Sequence, residues 1–401
     1  MSQTKIITFL GKYPKETIYN YGNKTYKGQV FAEALHQFCQ YDTMLVCVTA
    51  EAKATAWPVL EELKDSRIQP IDIPTGRTTE EMWETFKIIT QHVDEGDRVI
   101  FDITHGLRSL PFLVFLFAAY LKAAKSVTIA AIYYGAFELG DSKNNVPAPV
   151  IDLSEFVSMI DWITATDQFI QTGDARQLSE LLNPDGNAEN ATKKAAKTLF
   201  DISTATALCQ PLHLAKIAAE LEPDLLKAQE QLERTVPPFE TLRQRITDTF
   251  GDFVGDFKQE IKAALKAQLK LIQWYLDNNR LMEGMTLARE WLINGVMYRL
   301  GLAFDLKIKN REEVAKAISG VEMVSNDRLT LEELNDYGKI IHNTWTEKDK
   351  LSQLWNVLQP VRNALDHAGH QEGAMSVKNL LKKANQISLL LDNLATTWEL
   401  I

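Results

Sequence analysis

Short runs of β-branched and apolar residues alternate with stretches of helical periodicity over the N-terminal part of the chain. This alternation is typical of a parallel sheet covered by helices on both faces. The predicted strands are residues 5–10, 44–49, 68–73, 98–104 and 127–134, followed by a short strand at 150–153. The predicted helices are residues 29–39, 55–65, 79–93 and 110–124. Two further runs, 17–21 and 24–27, flank Gly22 and Asn23 and predict a hairpin that leans over the same sheet edge.

From Ser154 onward the pattern becomes almost continuous helical periodicity, with predicted loops at 183–190, 237–238 and 319–326. We therefore expect an α/β domain over residues 1–153 and an all-α domain over residues 154–401. The length of 401 residues agrees with two domains, because single cores seldom grow that large.

Composition narrows the class of protein. Three cysteines, Cys39, Cys47 and Cys209, show no disulfide or thiolate-zinc spacing, and the N-terminus lacks a secretory signal. The longest apolar run, 110–121, is shorter than the ~20 residues of a membrane-spanning helix. We expect a cytoplasmic protein without a membrane partner. A net charge of -10 also disfavours general coating of nucleic acid, so any RNA contact should be local.

The predicted strand at 98–104 leads directly into a helix, and the sequence from Asp102 to Gly106 at this junction is D-I-T-H-G. Ser109 is the predicted N-cap of that helix, and Pro111 lies in its first turn. Ligands of open α/β sheets bind at the carboxyl ends of strands, and this junction is such an end. We therefore predict a ligand site here.

The residue types at this junction suit a nucleotide. Thr104 and His105 offer side-chain hydrogen bonds, Gly106 permits close approach of the backbone, and Arg108 lies beside a helix N-terminus that attracts phosphate. The alternative is an ordinary turn in which Asp102 and Thr104 satisfy local backbone groups, and the pentapeptide by itself leaves that alternative open.

The first predicted strand ends in Gly11, Lys12, Tyr13 and Pro14. This sequence is neither G-x-G-x-x-G nor a P-loop, so it gives no fingerprint for a dinucleotide cofactor or for ATP. A conventional Rossmann oxidoreductase is disfavoured on that ground.

A second candidate motif occurs late in the helical half, where Arg362 to His367 reads R-N-A-L-D-H. Apolar residues recur at threes and fours from Leu351 to Ala368, which predicts one amphipathic helix through the motif, kinked at Pro360.

On that helix four polar residues should form one stripe: Asn363, Asp366, His367 and His370. Arg362 would lie roughly 140° around the helix from His367. A single copy of the motif therefore supplies few groups for an active site.

The residue types of this motif suit acid–base chemistry at a phosphate group. A histidine titrates near neutrality and can transfer protons, while a guanidinium can bind phosphate oxygens. We assign proton transfer to His367 and charge stabilisation to Arg362. The alternative is a salt bridge between Arg362 and Asp366 beside an ordinary surface histidine. No metal-ligand spacing occurs, so we expect no metal.

Together the two motifs resemble the D-x-T-H-G and R-x-x-x-x-H signatures of CRISPR-associated type III accessory ribonucleases, in which a CARF domain is joined to a HEPN domain. The resemblance implies an α/β Rossmann-like CARF domain followed by an all-α HEPN domain. It also implies a homodimer, with higher oligomers left open, whose paired helices pool Arg362, Asn363 and His367 as a composite catalytic site.

The same resemblance implies an allosteric activator, a cyclic oligoadenylate, with cyclic tetra-adenylate as the expected ring size and no cofactor. The predicted activator site comprises Gly11, Lys12, Tyr13, Asp102, Thr104, His105, Gly106 and Arg108. The implied reaction is cleavage of single-stranded RNA by 2′-hydroxyl attack. Two alternatives remain: a non-catalytic sensor or regulator, and a ring nuclease that degrades the cyclic oligoadenylate.

Overall fold

The computed structural model describes residues 2–106, 109–186, 188–232, 239–256, 258–370 and 372–401. The chain divides into two compact units, Met1–Asp161 and Trp162–Ile401. The division lies inside a helix that begins at Ser154, directly after the predicted boundary near Leu153. Within the described ranges, every helix is too short or too polar to cross a bilayer.

The described part of the first unit is built on a mixed eight-stranded sheet in the order β3-β2-β8-β7-β6-β1-β4-β5. The strands are β1 (Thr4–Phe9), β2 (Thr17–Tyr21), β3 (Lys24–Gly28), β4 (Thr43–Val48), β5 (Ile68–Asp72), β6 (Arg98–Asp102), β7 (Thr128–Gly135) and β8 (Ala148–Asp152). Strands β7, β6, β1, β4 and β5 are mutually parallel, with Ile6 of β1 opposite Met44 of β4 and Ile100 of β6.

The remaining strands make the sheet mixed, which corrects the expectation of a purely parallel sheet. β8 is antiparallel to β7 and parallel to β2. The predicted hairpin forms as β2 and β3, but it extends the sheet through β8 instead of leaning over its edge. Backbone pairing along β8 satisfies groups that a hairpin lying over the edge would leave unpaired.

Helices cover both faces of this sheet, and a buried apolar cluster lies on each face. The helices are α1 (Phe31–Phe38), α2 (Ala50–Thr55), α3 (Trp57–Glu61), α4 (Thr79–Gln91) and α5 (Leu110–Lys125). The single helix predicted at 55–65 is wrong, because Pro58 lies in the first turn of α3. A proline has no backbone N–H to continue the preceding helix, so it starts a new one.

The described part of the second unit is helical. Its helices, counted from the one that spans the division, are α6 (Ser154–Thr172), α7 (Arg176–Leu182), α8 (Asn190–Ala207), α9 (Pro211–Leu232), α10 (Phe239–Phe250), α11 (Ile261–Asp277), α12 (Leu281–Arg299), α13 (Ile308–Ser325), α14 (Asp336–Thr344), α15 (Lys348–Asp366) and α16 (Val377–Thr397). The predicted fold class, an α/β unit followed by an all-α unit, is confirmed.

The predicted loops have different outcomes. A short 3-10 turn, Pro184–Gly186, lies in the loop predicted at 183–190. The loop predicted at 319–326 is wrong, because α13 runs through it to Ser325 and buries Ile318 and Val321. Burial of these side chains outweighs the weak helix propensity of the Ser-Gly pair at 319–320. The loop predicted at 237–238 lies outside the described residues.

A close contact in the helical core makes one glycine indispensable. Trp291 of α12 stacks on Trp398 at 5.6 Å between ring centroids, and both are buried. Gly295 lies one helical turn after Trp291, and a Cβ atom built there would be 2.2 Å from Cζ3 of Trp398. The indole therefore packs directly on the helix backbone.

We predict that Gly295→Ala destabilises the helical unit, although glycine-to-alanine changes inside helices usually stabilise by about 1 kcal/mol. The clash should outweigh that gain and cost roughly 1–3 kcal/mol net. Urea unfolding followed by far-ultraviolet circular dichroism measures the change. Gly251→Ala is the matched control, because nothing lies within 4 Å of a Cβ built there. Equal stability of the two variants would contradict the packing described.

Candidate functional site

The carboxyl ends of β1, β4, β5 and β6 open into a cleft of about 930 Å³. Six of the predicted activator residues line it: Gly11, Lys12, Tyr13, Thr104, His105 and Gly106. Of the other two, Asp102 does not line the cleft, and Arg108 lies outside the described residues. The structure thus brings the turn after β1 and the D-x-T-H-G turn after β6 to one cavity.

Asp102 has a structural role in the turn. It is fully buried and accepts hydrogen bonds from Thr8 Oγ1 at 2.6 Å and from the backbone N–H of Thr104 at 2.7 Å. Burial raises the pKa of this carboxyl group to about 6. Thr104 Oγ1 accepts a hydrogen bond from the Gly135 backbone at 2.7 Å. Asp102 and Thr104 therefore satisfy local backbone groups, as the ordinary-turn alternative expects, and they fix the shape of the turn.

His105 is different, because its Nε2 atom is buried and has no hydrogen-bond partner among the described residues. Its ring lies 5.4 Å from the ring of Phe137, at the wall of the cleft. Burial lowers the pKa of His105 to about 4, so the imidazole is neutral at pH 7. A neutral ring nitrogen without a partner is a hydrogen-bonding group that a ligand can satisfy.

Gly106 lets the backbone come close to the cleft. Its φ is +121°, a conformation that side chains disfavour, and a Cβ atom there would lie 2.5 Å from Cδ1 of Leu110. Pro111 lies in the first turn of α5, as expected. Ser109 stands at the N-cap position, but its side chain makes no capping hydrogen bond, because the residue has helical backbone angles (φ −76°, ψ −23°).

The charged side chains at the cleft are mostly positive. Among the described residues that line it, three are cations, Lys12, Lys15 and Arg77, and one is an anion, Glu51. Lys12 Nζ lies 3.3 Å from a Glu51 oxygen, and both side chains are at least half exposed. The chain as a whole carries -10, so the cleft is a local positive region on an acidic protein. That charge suits an anionic ligand.

Lys15 and Arg77 were not among the predicted site residues, although a sequence pattern points to the turn that carries Arg77. The residues after β5 also stand at a strand's carboxyl end, and the rule that placed a site after β6 applies equally there. No recognised motif marks that turn, whereas D-x-T-H-G marks the other.

The second motif lies at the end of α15. Arg362 is half-buried, Asn363 and His367 are exposed, and His367 is the C-cap residue instead of lying inside the helix. Positive φ values at Ala368 (47°) and Gly369 (77°) turn the chain away. The polar stripe expected to reach His370 is therefore wrong, because the helix ends four residues earlier, at Asp366.

Arg362 makes the ion pair with Asp366 that the salt-bridge alternative predicts. Its Nε atom lies 2.9 Å from Oδ2 of Asp366, although no hydrogen bond forms at Nε in this orientation. Between Arg362 and His367 the described residues show neither a hydrogen bond nor an ion pair. Within one chain these two side chains do not assemble into a catalytic pair, and their catalytic roles stay a prediction.

Within the described residues there is no group of three or more His, Cys, Asp or Glu side chains that could hold a metal ion. The expected metal independence stays a prediction that a chelator can test.

The burial of Asp102 predicts a pH-dependent stability. The folded-state pKa, about 6, is higher than the ordinary value of 3.8, so folding binds a proton between these values. Stability from this group is therefore present at low pH and is lost as pH rises through about 6. Asp102→Asn keeps the shape without the titration.

We expect wild type to lose on the order of 2 kcal/mol of unfolding free energy relative to Asp102→Asn between roughly pH 4 and pH 7.5. Urea titrations of both proteins at each pH measure the difference. A difference that does not change with pH would show that Asp102 is not held in this buried state.

Comparison with known proteins finds a match for one segment of the chain. Residues 158–276 match the family described as CRISPR-associated protein MJ1674, second domain. This range runs from α6 to α11 and ends before Arg362. CRISPR-associated protein MJ1674 of Methanocaldococcus jannaschii is 31% identical over 134 residues, 33% of this chain, and the match spans 20% of that protein's length.

Among solved structures, Enterococcus italicus Csm6 bound to cyclic hexa-2′-fluoro-hexa-dAMP aligns over 100% of this chain and 95% of its own, with a TM-score of 0.46 and 8% identity. A TM-score of this size carries no argument for this chain's fold or function. The sequence matches confirm the resemblance to CRISPR-associated proteins that the motifs indicate.

Proposed function

We propose that this chain is a cyclic oligoadenylate-activated, metal-independent endoribonuclease of type III CRISPR defence that cuts single-stranded RNA. The observation that carries the proposal is the cleft, where the D-x-T-H-G turn meets a positive lining at the carboxyl ends of four strands. The resemblance to CRISPR-associated proteins supports it.

The groups at the cleft match the parts of an oligoadenylate. Phosphates pair with the cations, and Gly106 allows the ligand close to the backbone. Tyr13 is 79% exposed, and its ring can stack on an adenine. His105 is neutral, so it suits a hydrogen bond to a base or ribose better than an ion pair with phosphate.

Arg362 and His367 are the proposed catalytic residues. His367 moves the proton of the 2′-hydroxyl, whose oxygen attacks the adjacent phosphorus, and Arg362 stabilises the developing negative charge. The bond from phosphorus to the 5′-oxygen breaks, and that oxygen takes up a proton, which balances the proton removed from the 2′-hydroxyl. The products carry a 2′,3′-cyclic phosphate and a 5′-hydroxyl. Asn363, exposed beside Arg362, is available to orient the substrate.

The ion pair with Asp366 does not prevent this role. Its two side chains are 38% and 35% exposed, and pairs of this kind contribute only about 0–1 kcal/mol. A substrate phosphate can therefore replace Asp366 at Arg362 with little loss of free energy. Phosphate also offers the guanidinium a bidentate partner.

The site is proposed to form only in a homodimer. One chain presents a single Arg362 and a single exposed His367, with no hydrogen bond or ion pair between them, and a second copy supplies another pair. Activator binding at the cleft would favour a dimer arrangement in which these side chains are aligned, which requires higher affinity for that state.

The non-catalytic sensor remains the competing function, because the Arg362–Asp366 ion pair beside an exposed histidine is also what a surface helix would show. The two functions differ in what the His367 side chain does to RNA.

We predict that His367→Ala and Arg362→Ala each lower the rate of RNA cleavage at least ~100-fold with cyclic oligoadenylate and EDTA present. Wild-type products should end in a 2′,3′-cyclic phosphate. His370→Ala is the matched control: it removes an exposed histidine three residues further on and should leave the rate unchanged. Full cleavage by purified His367→Ala would exclude the proposed mechanism.

The composite site predicts that cleavage depends on protein concentration. Activity per chain should fall steeply when the activated protein is diluted below its dimer dissociation constant, since the monomer lacks half of the site. The cleavage rate per chain and the dimer fraction from mass photometry are measured at each dilution and compared. Constant activity per chain in a fully monomeric sample would rule out a shared site.

A further inference from the structure

The turn between β5 and α4, residues 73–78, forms a wall of the cleft that belongs to neither motif. Ile73, Thr75 and Arg77 are among the residues that line the cavity. In the sheet order β6-β1-β4-β5, this turn is three strand spacings from the D-x-T-H-G turn. Three spacings correspond to about 14 Å.

One carboxylate holds this turn in shape. Oε2 of Glu81 accepts hydrogen bonds from the backbone N–H of Arg77 at 2.8 Å and from Thr75 Oγ1 at 3.2 Å. The hydrogen bond from the Arg77 backbone is the main cause that lowers the pKa of Glu81, so the group stays ionised at neutral pH. In return, Thr78 Oγ1 accepts from the Glu81 backbone and caps α4. The turn is therefore formed before any ligand binds.

Arg77 has an exposed side chain that makes no hydrogen bond and no ion pair with the described residues. Other arginines differ: Arg67 binds Asp65 and Arg176 binds Asp174, each at 2.6 Å. Lys12 at the same cleft is already paired with Glu51. A preformed turn thus presents to the cavity a guanidinium that is engaged in no hydrogen bond or ion pair with the described residues, and whose charge interacts with Glu81 at longer range.

We infer that Arg77 binds a phosphate group of the activator, with Glu81 as its positioning residue. The inference rests on the proposed function for the identity of the ligand. A ligand that contacts both Arg77 and the D-x-T-H-G turn bridges two turns whose strands lie about 14 Å apart in the sheet. This distance favours an oligonucleotide over a mononucleotide, so Arg77 contributes to selection by ligand size.

Calorimetric titration of the full chain with cyclic tetra-adenylate, cyclic hexa-adenylate and AMP, without RNA, tests this assignment. Arg77→Ala should weaken binding of the preferred ring about 10-fold or more, as for loss of a charge-assisted hydrogen bond. Arg77→Lys should restore part of the affinity, since it keeps the charge without the planar fork. The salt dependence, log Kd against log salt, should become shallower by about 0.7 for the lost phosphate contact.

Lys87→Ala is the matched control, because it removes an exposed cation from α4 outside the cleft lining. It should bind the ring as wild type does. If wild type binds a ring and Arg77→Ala binds it equally well, the Arg77 inference is overturned while the proposed function stands. If wild type binds neither ring, the Arg77 inference and the proposed function are both overturned.

The role of Glu81 is tested by coupling. Glu81→Ala should weaken ring binding, and adding it to Arg77→Ala should weaken binding no further, because both changes remove one contact. Glu81→Gln keeps an acceptor oxygen and should recover most of the affinity. Additive losses would show that Glu81 does not act through Arg77.

Discussion

The parallel alignment of β7, β6, β1, β4 and β5 is the constraint on which the candidate site depends. It brings the carboxyl ends of these strands to one edge, so turns far apart in sequence line a single cavity. Asp102 then fixes the D-x-T-H-G turn by accepting hydrogen bonds from Thr8 on the neighbouring strand and from Thr104. A carboxylate with no access to the cleft thereby sets the position of His105 and Gly106, which do line it.

The charges also differ between the interior beneath the turn and the cleft. Asp102 is buried under the turn, where its charge is disfavoured and its pKa rises to about 6. The cleft itself presents cations, one of them on a turn that Glu81 holds. An acidic chain thus has a local positive surface at the cleft, and its charge suits an anionic ligand.

The hydrophobic pattern predicted most of the fold, because β4 is almost wholly apolar and β1 contains the apolar residues Ile6, Ile7 and Phe9. It was wrong where tertiary contacts outweigh local preference, as in α13, which continues through the Ser-Gly pair at 319–320. It also could not show that Ala368 and Gly369 take positive φ and leave His367 at the helix end. Arg77 was missed because no motif marks the turn after β5, although this turn also stands at the carboxyl end of a strand, and the hydrogen bonds to Glu81 that shape it leave no sequence pattern.

The central claim is that a cyclic oligoadenylate in the cleft controls RNA cleavage by Arg362 and His367. The most direct measurement is the initial rate of cleavage of a single-stranded RNA by the purified full chain in EDTA, with and without cyclic tetra-adenylate or cyclic hexa-adenylate. We predict a large increase in rate with one ring, the tetra-adenylate by resemblance, and none with linear oligoadenylate. An absence of cleavage with every ring, or a rate that no ring changes, would contradict the account.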